Sequence, residues 1–301
     1  MLGHTPVTTL GEEPERWMVF IHGILGKRAN WRGIAKRFVA ARPDWGALLI
    51  DLRMHGDSVD FNPPHTVAAA AADLAPLVAT LAAPVDAVVG HSFGGKVALA
   101  YLQHATQKPK QVWTLDSAPG ALVNPTESQA AGVLRFLKAA PKQYKEREDF
   151  IDHATGQGLS RSVATWLAMN LQRDDAHGFL FALDLNAIES LMRDYAAQDY
   201  WPVIESPGPN VDVHLVIAKQ SKAYSDDERQ RATALAASNS HVYVHCVDAG
   251  HWLHVEEPEQ LVRLLTVGSG NGDQEKPTEQ KKQHHDADAR SHAVRPAGDE
   301  T

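Results

Sequence analysis

The stretch Val88-Val89-Gly90-His91-Ser92-Phe93-Gly94-Gly95 decides the fold of this chain. The mostly apolar run 85–89 reads as a short buried strand, and 94–104, GGKVALAYLQH, reads as a helix with an apolar face. Between them stands Gly-x-Ser-x-Gly. A strand that turns at once into a helix puts its central residue at a sharp, strained corner. Glycines at 90 and 94 suit that corner, because side chains there would crowd the backbone. The Ser92 hydroxyl is then held at the top of a sheet, beside a helix N-terminus that favours developing negative charge.

Working outward, the same alternation repeats. The apolar run 17–21, WMVFI, reads as a strand buried on both faces and ends in His22-Gly23-Ile24-Leu25-Gly26. A glycine pair after such a strand suits a loop whose backbone N–H groups point into a site. Together with the Phe93 N–H, the Ile24 N–H is a candidate oxyanion donor. Residues 31–41 are helical in pattern up to Pro43, 47–50 form the next strand, and 67–81 is an alanine-rich helix. The turn 51–58, DLRMHGDS, tempts one to take His55 as a base, but such a turn is more simply a loop locked by its own hydrogen bonds. The run 111–115, QVWTL, is another strand and delivers Asp116. Strand–helix alternation of this kind specifies a mostly parallel, doubly wound α/β sheet.

After 122 the alternation stops. Residues 123–205 read as helical only, with segments at 127–139, 146–155, 160–172 and 184–197, and form a cap over the C-terminal edge of the sheet. Phe136, Trp166, Phe179, Phe181 and Tyr195 are mostly its core, with one or two left to line a pocket. The sheet resumes with 211–218 and 241–247, so that 17–122 and 206–267 make one α/β core. The last strand delivers Asp248-Ala249-Gly250-His251-Trp252. Residues 1–16 are polar and proline-containing and read as an irregular lead-in. Residues 268–301 have almost no apolar side chain and read as a disordered tail, in which His284 and His285 are solvated.

Composition narrows the class. The 301 residues are 44% hydrophobic and 22% charged, ordinary for a globular chain of one large domain with an insertion. A net charge of −8 without a basic stripe argues against nucleic-acid binding. No apolar run is long enough to span a membrane, and the first residues lack the apolar core of a signal peptide. The single cysteine, Cys246, permits no internal disulfide and reads as a buried structural thiol. The default expectation is the cytoplasm, with mitochondrion or chloroplast the alternative if a targeting segment was removed.

Ser92 follows one strand, Asp116 the next and His251 the last, in the order serine, acid, histidine. Of 16 histidines, His251 is the one in a Gly-His-Trp turn after a late strand, which favours it over His22 and His55. HGILG at 22–26, DLRMHGDS at 51–58, GHSFGGK at 90–96, LDSAP at 115–119 and DAGHWLH at 248–254 together resemble the α/β-hydrolase superfamily. Within it, the chain is similar to the branch containing mitochondrial α/β-hydrolase domain-containing protein eleven and small bacterial acyl-ester hydrolases, with like sequences in plants and algae. The resemblance covers about 17–267. It implies an α/β-hydrolase fold with a helical cap after the sixth strand, and a Ser-His-Asp esterase or thioesterase without metal or organic cofactor. Its substrates would be small to medium acyl esters or thioesters.

Most of the superfamily carries its acid after the strand matching 211–218, where this chain has Ser221. In the branch it resembles, the acid matches Asp116 and a serine matches Ser221, which could assist by hydrogen bonding. Asp226 and Asp227 open a helix, where the dipole accounts for them. A C–C hydrolase, an acyltransferase, or an idle ligand-binding or scaffold protein would preserve the same three residues. A dehalogenase or epoxide hydrolase would need an aspartate where Ser92 stands.

Overall fold

Ten strands occur among residues 1–11, 13–175 and 178–270, which the computed structural model describes. They are β1 (His4–Val7), β2 (Arg16–Ile21), β3 (Trp45–Ile50), β4 (Val85–His91), β5 (Gln111–Leu115), β6 (Gln143–Tyr144), β7 (Leu171–Asp174), β8 (Gly178–Phe181), β9 (Asp212–Ala218) and β10 (Val242–Val247). Seven form one sheet in the order β1-β3-β2-β4-β5-β9-β10, and all its pairings are parallel except β1 with β3.

Alternation along each strand explains why both faces are covered. Trp17, Val19 and Ile21 of β2 enter one apolar cluster, while Met18 and Phe20 enter another across the sheet. The helices Arg32–Ala41 and Pro258–Gly268 cover the second cluster with Phe38, Leu261 and Leu265. The helix Phe93–His104 and the cap cover the first. Each large aliphatic or aromatic side chain so buried stabilises the fold by about 1.5–3 kcal/mol. Among the described residues, no helix is long and apolar enough to cross a membrane.

Register brings the functional loops together. Ile21 pairs with Ile50 and Gly90, and Leu115 pairs with His91 and Val216. His22, Asp51, Ser92 and Asp116 therefore leave the sheet side by side at its C-terminal edge.

The structure corrects several expectations. The lead-in contains strand β1, with Leu2 buried, because the chain adds an antiparallel edge that needs little apolar sequence. The cap follows β5, the fifth strand along this chain rather than a sixth. It is also not helical throughout: β6, β8 and β7 form a small antiparallel sheet, and the helix expected to run to 172 ends at Ala168. The helix 67–81 is two short pieces, Val67–Ala72 and Leu74–Val78. Cys246 is exposed rather than buried, because β10 is an edge strand. Gly268 and Ser269 are buried, and Ser269 Oγ accepts from Arg42 Nη1 at 2.8 Å, so the folded unit reaches 269. The tail beyond 270, with His284 and His285, lies outside the described residues.

One buried charge joins the cap to the core. Lys96 has no exposed surface, and its ammonium donates to the carbonyls of Gly120 (2.7 Å), Tyr195 (2.8 Å) and Gln198 (2.8 Å). The first carbonyl lies where the chain leaves for the cap, and the other two lie where it returns. Burial lowers the lysine pKa to about 8, against the pull of Glu228, Asp199 and Asp194.

Candidate active site

Ser92 stands between β4 and the helix Phe93–His104 with φ 51° and ψ −117°, a conformation that non-glycine residues avoid. Such strain costs on the order of 1–3 kcal/mol and persists only where neighbours over-determine it. Here the Ser92 N–H donates to Leu115 O and its own carbonyl accepts from Gly95 N–H, both at 2.9 Å. A side chain on Gly90 would clash with the Gly94 carbonyl, and one on Gly94 with the His22 carbonyl. The motif glycines are thus demanded by close backbone approach. The Ser92 hydroxyl is half-buried and has no hydrogen-bond partner among the described residues.

Asp116 follows β5 with φ 46°, a second strained residue at the same edge. Its N–H donates to Val216 O at 2.7 Å and its side chain is fully buried. A buried carboxylate needs partners. His251 Nδ1–H donates to Oδ2 at 2.7 Å, and the Ala218 N–H donates to Oδ1 at 3.2 Å. This bond fixes the His251 tautomer and leaves Nε2 with the lone pair. Two of the three expected residues are therefore in direct contact.

The loop carrying His251 is tied to the residue before Ser92. His91 Nε2–H donates to the His251 carbonyl at 2.8 Å, and the two rings lie 4.8 Å apart. Burial holds the His91 imidazole neutral, far below its ordinary value, with His254 and His251 adding to the effect. His91 stands inside the Gly-x-Ser-x-Gly motif, and nothing near it in the sequence marks it as the tether of the His251 loop. His254 Nδ1 is buried without a partner among the described residues, and burial lowers that imidazole to about 4. A cavity of about 10 Å³ lies among His22, His91, His254, Trp31, Trp166 and Trp252, with room for about one water.

The loop 22–26 lies against the elbow: a Cβ on Gly23 would sit 3.4 Å from Ser92 Cβ. The Ile24 N–H has no acceptor among the described residues. Phe93 opens its helix, so its N–H has no intrahelical acceptor. Both expected oxyanion donors are thus uncommitted and beside Ser92.

His55 has the structural place expected of it. Its Nε2 accepts the Leu25 N–H at 3.0 Å and its Nδ1–H donates to Arg53 O at 2.9 Å. Ser221 is not brought to the acid–histidine pair. Its Oγ accepts the Ala223 N–H at 3.1 Å in a local turn, and the Ala218 N–H fills the place of the expected assistance. Asp226 and Asp227 sit in the first turn of the helix Asp226–Ser238, capped by Ser225 and Glu228. Of the cap aromatics, Phe136 and Phe181 pack on Phe150, whereas Trp166 meets Trp252 at 4.5 Å and Tyr195 meets Phe93 at 5.6 Å. Among the described residues no group of three or more His, Cys, Asp or Glu could hold a metal.

Residues 18–264 match the model of the alpha/beta hydrolase family. The chain belongs to that family. It is 37% identical over 262 residues to a mouse (Mus musculus) protein described as sn-1-specific diacylglycerol lipase ABHD11, spanning 83% of this chain and 79% of that one. The zebrafish (Danio rerio) protein of the same description is 27% identical over 261 residues, or 82% and 76% of the two chains. These relatives bear out the branch suggested by the motifs. Among solved structures, one described as a marine microorganism esterase aligns with a TM-score of 0.73 at 20% identity, covering 87% of this chain and 97% of that one. A thioesterase domain from a curacin biosynthetic pathway aligns with a TM-score of 0.64 at 18% identity, over 89% and 99%.

Proposed function

We propose that this member of the alpha/beta hydrolase family is a serine hydrolase that cleaves carboxylic esters or acyl thioesters of small to medium acyl groups. The observation that carries this reading is the 2.7 Å bond from His251 Nδ1–H to the buried Asp116, on a loop tethered by the neighbour of Ser92. In the reaction, Ser92 Oγ attacks the acyl carbonyl while His251 Nε2 takes its proton, and Asp116 stabilises the imidazolium. The hydrogen bond from Ser92 Oγ to His251 Nε2 forms when substrate is bound, since catalytic pairs are commonly loose in the free enzyme. The Ile24 and Phe93 N–H groups hold the oxyanion, each contributing roughly 3 kcal/mol. His251 returns the proton to the leaving alcohol or thiol, and a water activated by the same imidazole then cleaves the acyl-enzyme.

The test is a hydrolysis panel of p-nitrophenyl esters, acyl thioesters and diacylglycerols graded by chain length, the last because the curated relatives are described as diacylglycerol lipases. Ser92→Ala should lower kcat by on the order of 10⁴ to 10⁶ with little change in melting temperature. Near-normal turnover by that variant would end the proposal.

A further inference from the structure

The loop beside Ser92 is strained, and the strain is held from two sides. Gly26 N–H donates to Gly23 O at 3.0 Å, closing a four-residue turn with Leu25 in its third position. Leu25 has φ 63°, where such a turn favours glycine, and its side chain is buried. Its two polar backbone groups are both taken. The N–H donates to His55 Nε2 at 3.0 Å, from the core, and the carbonyl accepts Asn170 Nδ2–H at 2.8 Å, from the cap.

Asn170 is 2% exposed and stands just past the cap helix Arg161–Ala168. Its own turn is clasped by Arg147, whose guanidinium donates to the carbonyls of Ala168 and Leu171 on either side. Asn170 Oδ1 is buried with no partner among the described residues, so the bond to Leu25 is the side chain's one contribution. A buried amide held half-satisfied for a single bond is a costly arrangement unless that bond matters.

We propose that Asn170 is a positioning residue through which the cap sets the turn that carries the Ile24 N–H. The inference rests on the serine-hydrolase reading above and deepens it: the oxyanion site is complete only with the cap seated. When the cap lifts, the Asn170 bond breaks. Leu25 can then relax from its left-handed conformation, and the peptides before it turn with it.

The test uses the full chain and three variants. Asn170→Ala removes the donor. Asn170→Asp keeps the shape, but its ionised carboxylate opposes the Leu25 carbonyl, whereas its protonated carboxyl can donate to it. Asp194→Ala is the comparison, since Asp194 Oδ2 accepts the Val67 N–H at 2.7 Å and ties cap to core away from the turn. Asn170→Ala should lower kcat about 10- to 100-fold with KM nearly unchanged, as a misplaced oxyanion donor does. Asp194→Ala should leave kcat within about 3-fold, the range of an interaction outside the reacting centre. The kcat of Asn170→Asp relative to wild type should climb as pH falls from about 8 to about 5.5, because a buried carboxyl titrates above its ordinary range. The same ratio for Asn170→Ala should stay flat. Equal losses in Asn170→Ala and Asp194→Ala, or a flat ratio for Asn170→Asp, would overturn the proposal. Amide hydrogen exchange over 20–27 reads the same tether without turnover, and should quicken in Asn170→Ala but not in Asp194→Ala. If wild type hydrolyses nothing, the functional reading fails while exchange still decides this one, and unchanged exchange in Asn170→Ala rejects it.

Discussion

The loops at the C-terminal edge of the sheet and the cap above them are held in different ways. At the edge, His22 and His55 cross-link two loops: His22 Nε2 accepts the Leu52 N–H and His55 Nε2 accepts the Leu25 N–H, both at 3.0 Å. Their Nδ1–H groups donate to Gly23 O (2.7 Å) and Arg53 O (2.9 Å), so each ring is neutral and fully used. Burial lowers His22 to about 4 and His55 to about 3, the latter helped by the neighbouring His22. The cap meets the core through a shared apolar cluster, to which Lys96, Asn170, Asp194 and the Trp166–Trp252 contact add individual ties. Rigid, redundantly bonded loops suit groups that must be aimed before substrate arrives. The cap, by contrast, is held chiefly by apolar packing that does not depend on aimed hydrogen bonds.

Breaking the edge should have the largest effect. Asp116→Asn replaces the acceptor of the His251 Nδ1–H and favours the wrong tautomer, so kcat should fall by on the order of 10² to 10⁴. Asp226→Asn and Asp227→Asn should stay within about 3-fold of wild type, because first-turn acids of a capped helix are explained by the dipole. Steady-state kinetics on the three folded variants separates them. Full activity of Asp116→Asn with a loss at 226 or 227 would mean the acid has been misassigned.

Breaking the joint between the regions comes next. Lys96→Met removes an ammonium that satisfies three buried carbonyls, and should cost about 2–5 kcal/mol of stability. Urea unfolding monitored by circular dichroism measures this, and a loss under about 0.5 kcal/mol, the level of an ordinary surface change, would show that the clip holds nothing.

The histidine locks are sharpened by pH. Both rings have folded pKa values below the 6.5 of an exposed imidazole. Above that value neither state binds the extra proton and the locks contribute in full. As pH falls below it, the unfolded chain takes up protons that the native rings refuse. Stability is therefore lost down to about 4 for His22 and about 3 for His55. The slope is up to about 1.4 kcal/mol per pH unit for each histidine. A stability profile flat between pH 6.5 and 5 would mean that the rings are already charged in the native state.

Much of this edge could be read from the chain because its elements are long, apolar and punctuated. WMVFI, VDAVV and QVWTL are unambiguous as buried strands, and a residue placed directly after a buried strand has little freedom. That is why Ser92, Asp116 and the 22–26 loop fell where expected. His91 and Lys96 were visible as polar residues in apolar company, yet their partners lie 160 and 24 to 102 residues away, beyond any local pattern. The cap was harder. LQRD and GFLF form strands only because they pair with each other and with Gln143–Tyr144, and LQRD carries no apolar alternation to announce it. Asn170 sits in a stretch that reads as helix, and nothing nearby marks its bond to Leu25. Ser221 Oγ accepts the Ala223 N–H, because a serine in a tight turn bonds its own backbone more readily than a distant carboxylate. Cys246 went wrong because an apolar run says nothing about whether its strand lies at an edge.

The central claim is that Ser92 is a nucleophile activated by His251. Brief treatment with a fluorophosphonate, followed by peptide mass mapping, tests it most directly. One adduct per chain is expected, on the peptide carrying Ser92, lost in Ser92→Ala and strongly slowed in His251→Ala. Labelling of a different residue, or no labelling of the folded wild-type chain, would contradict it.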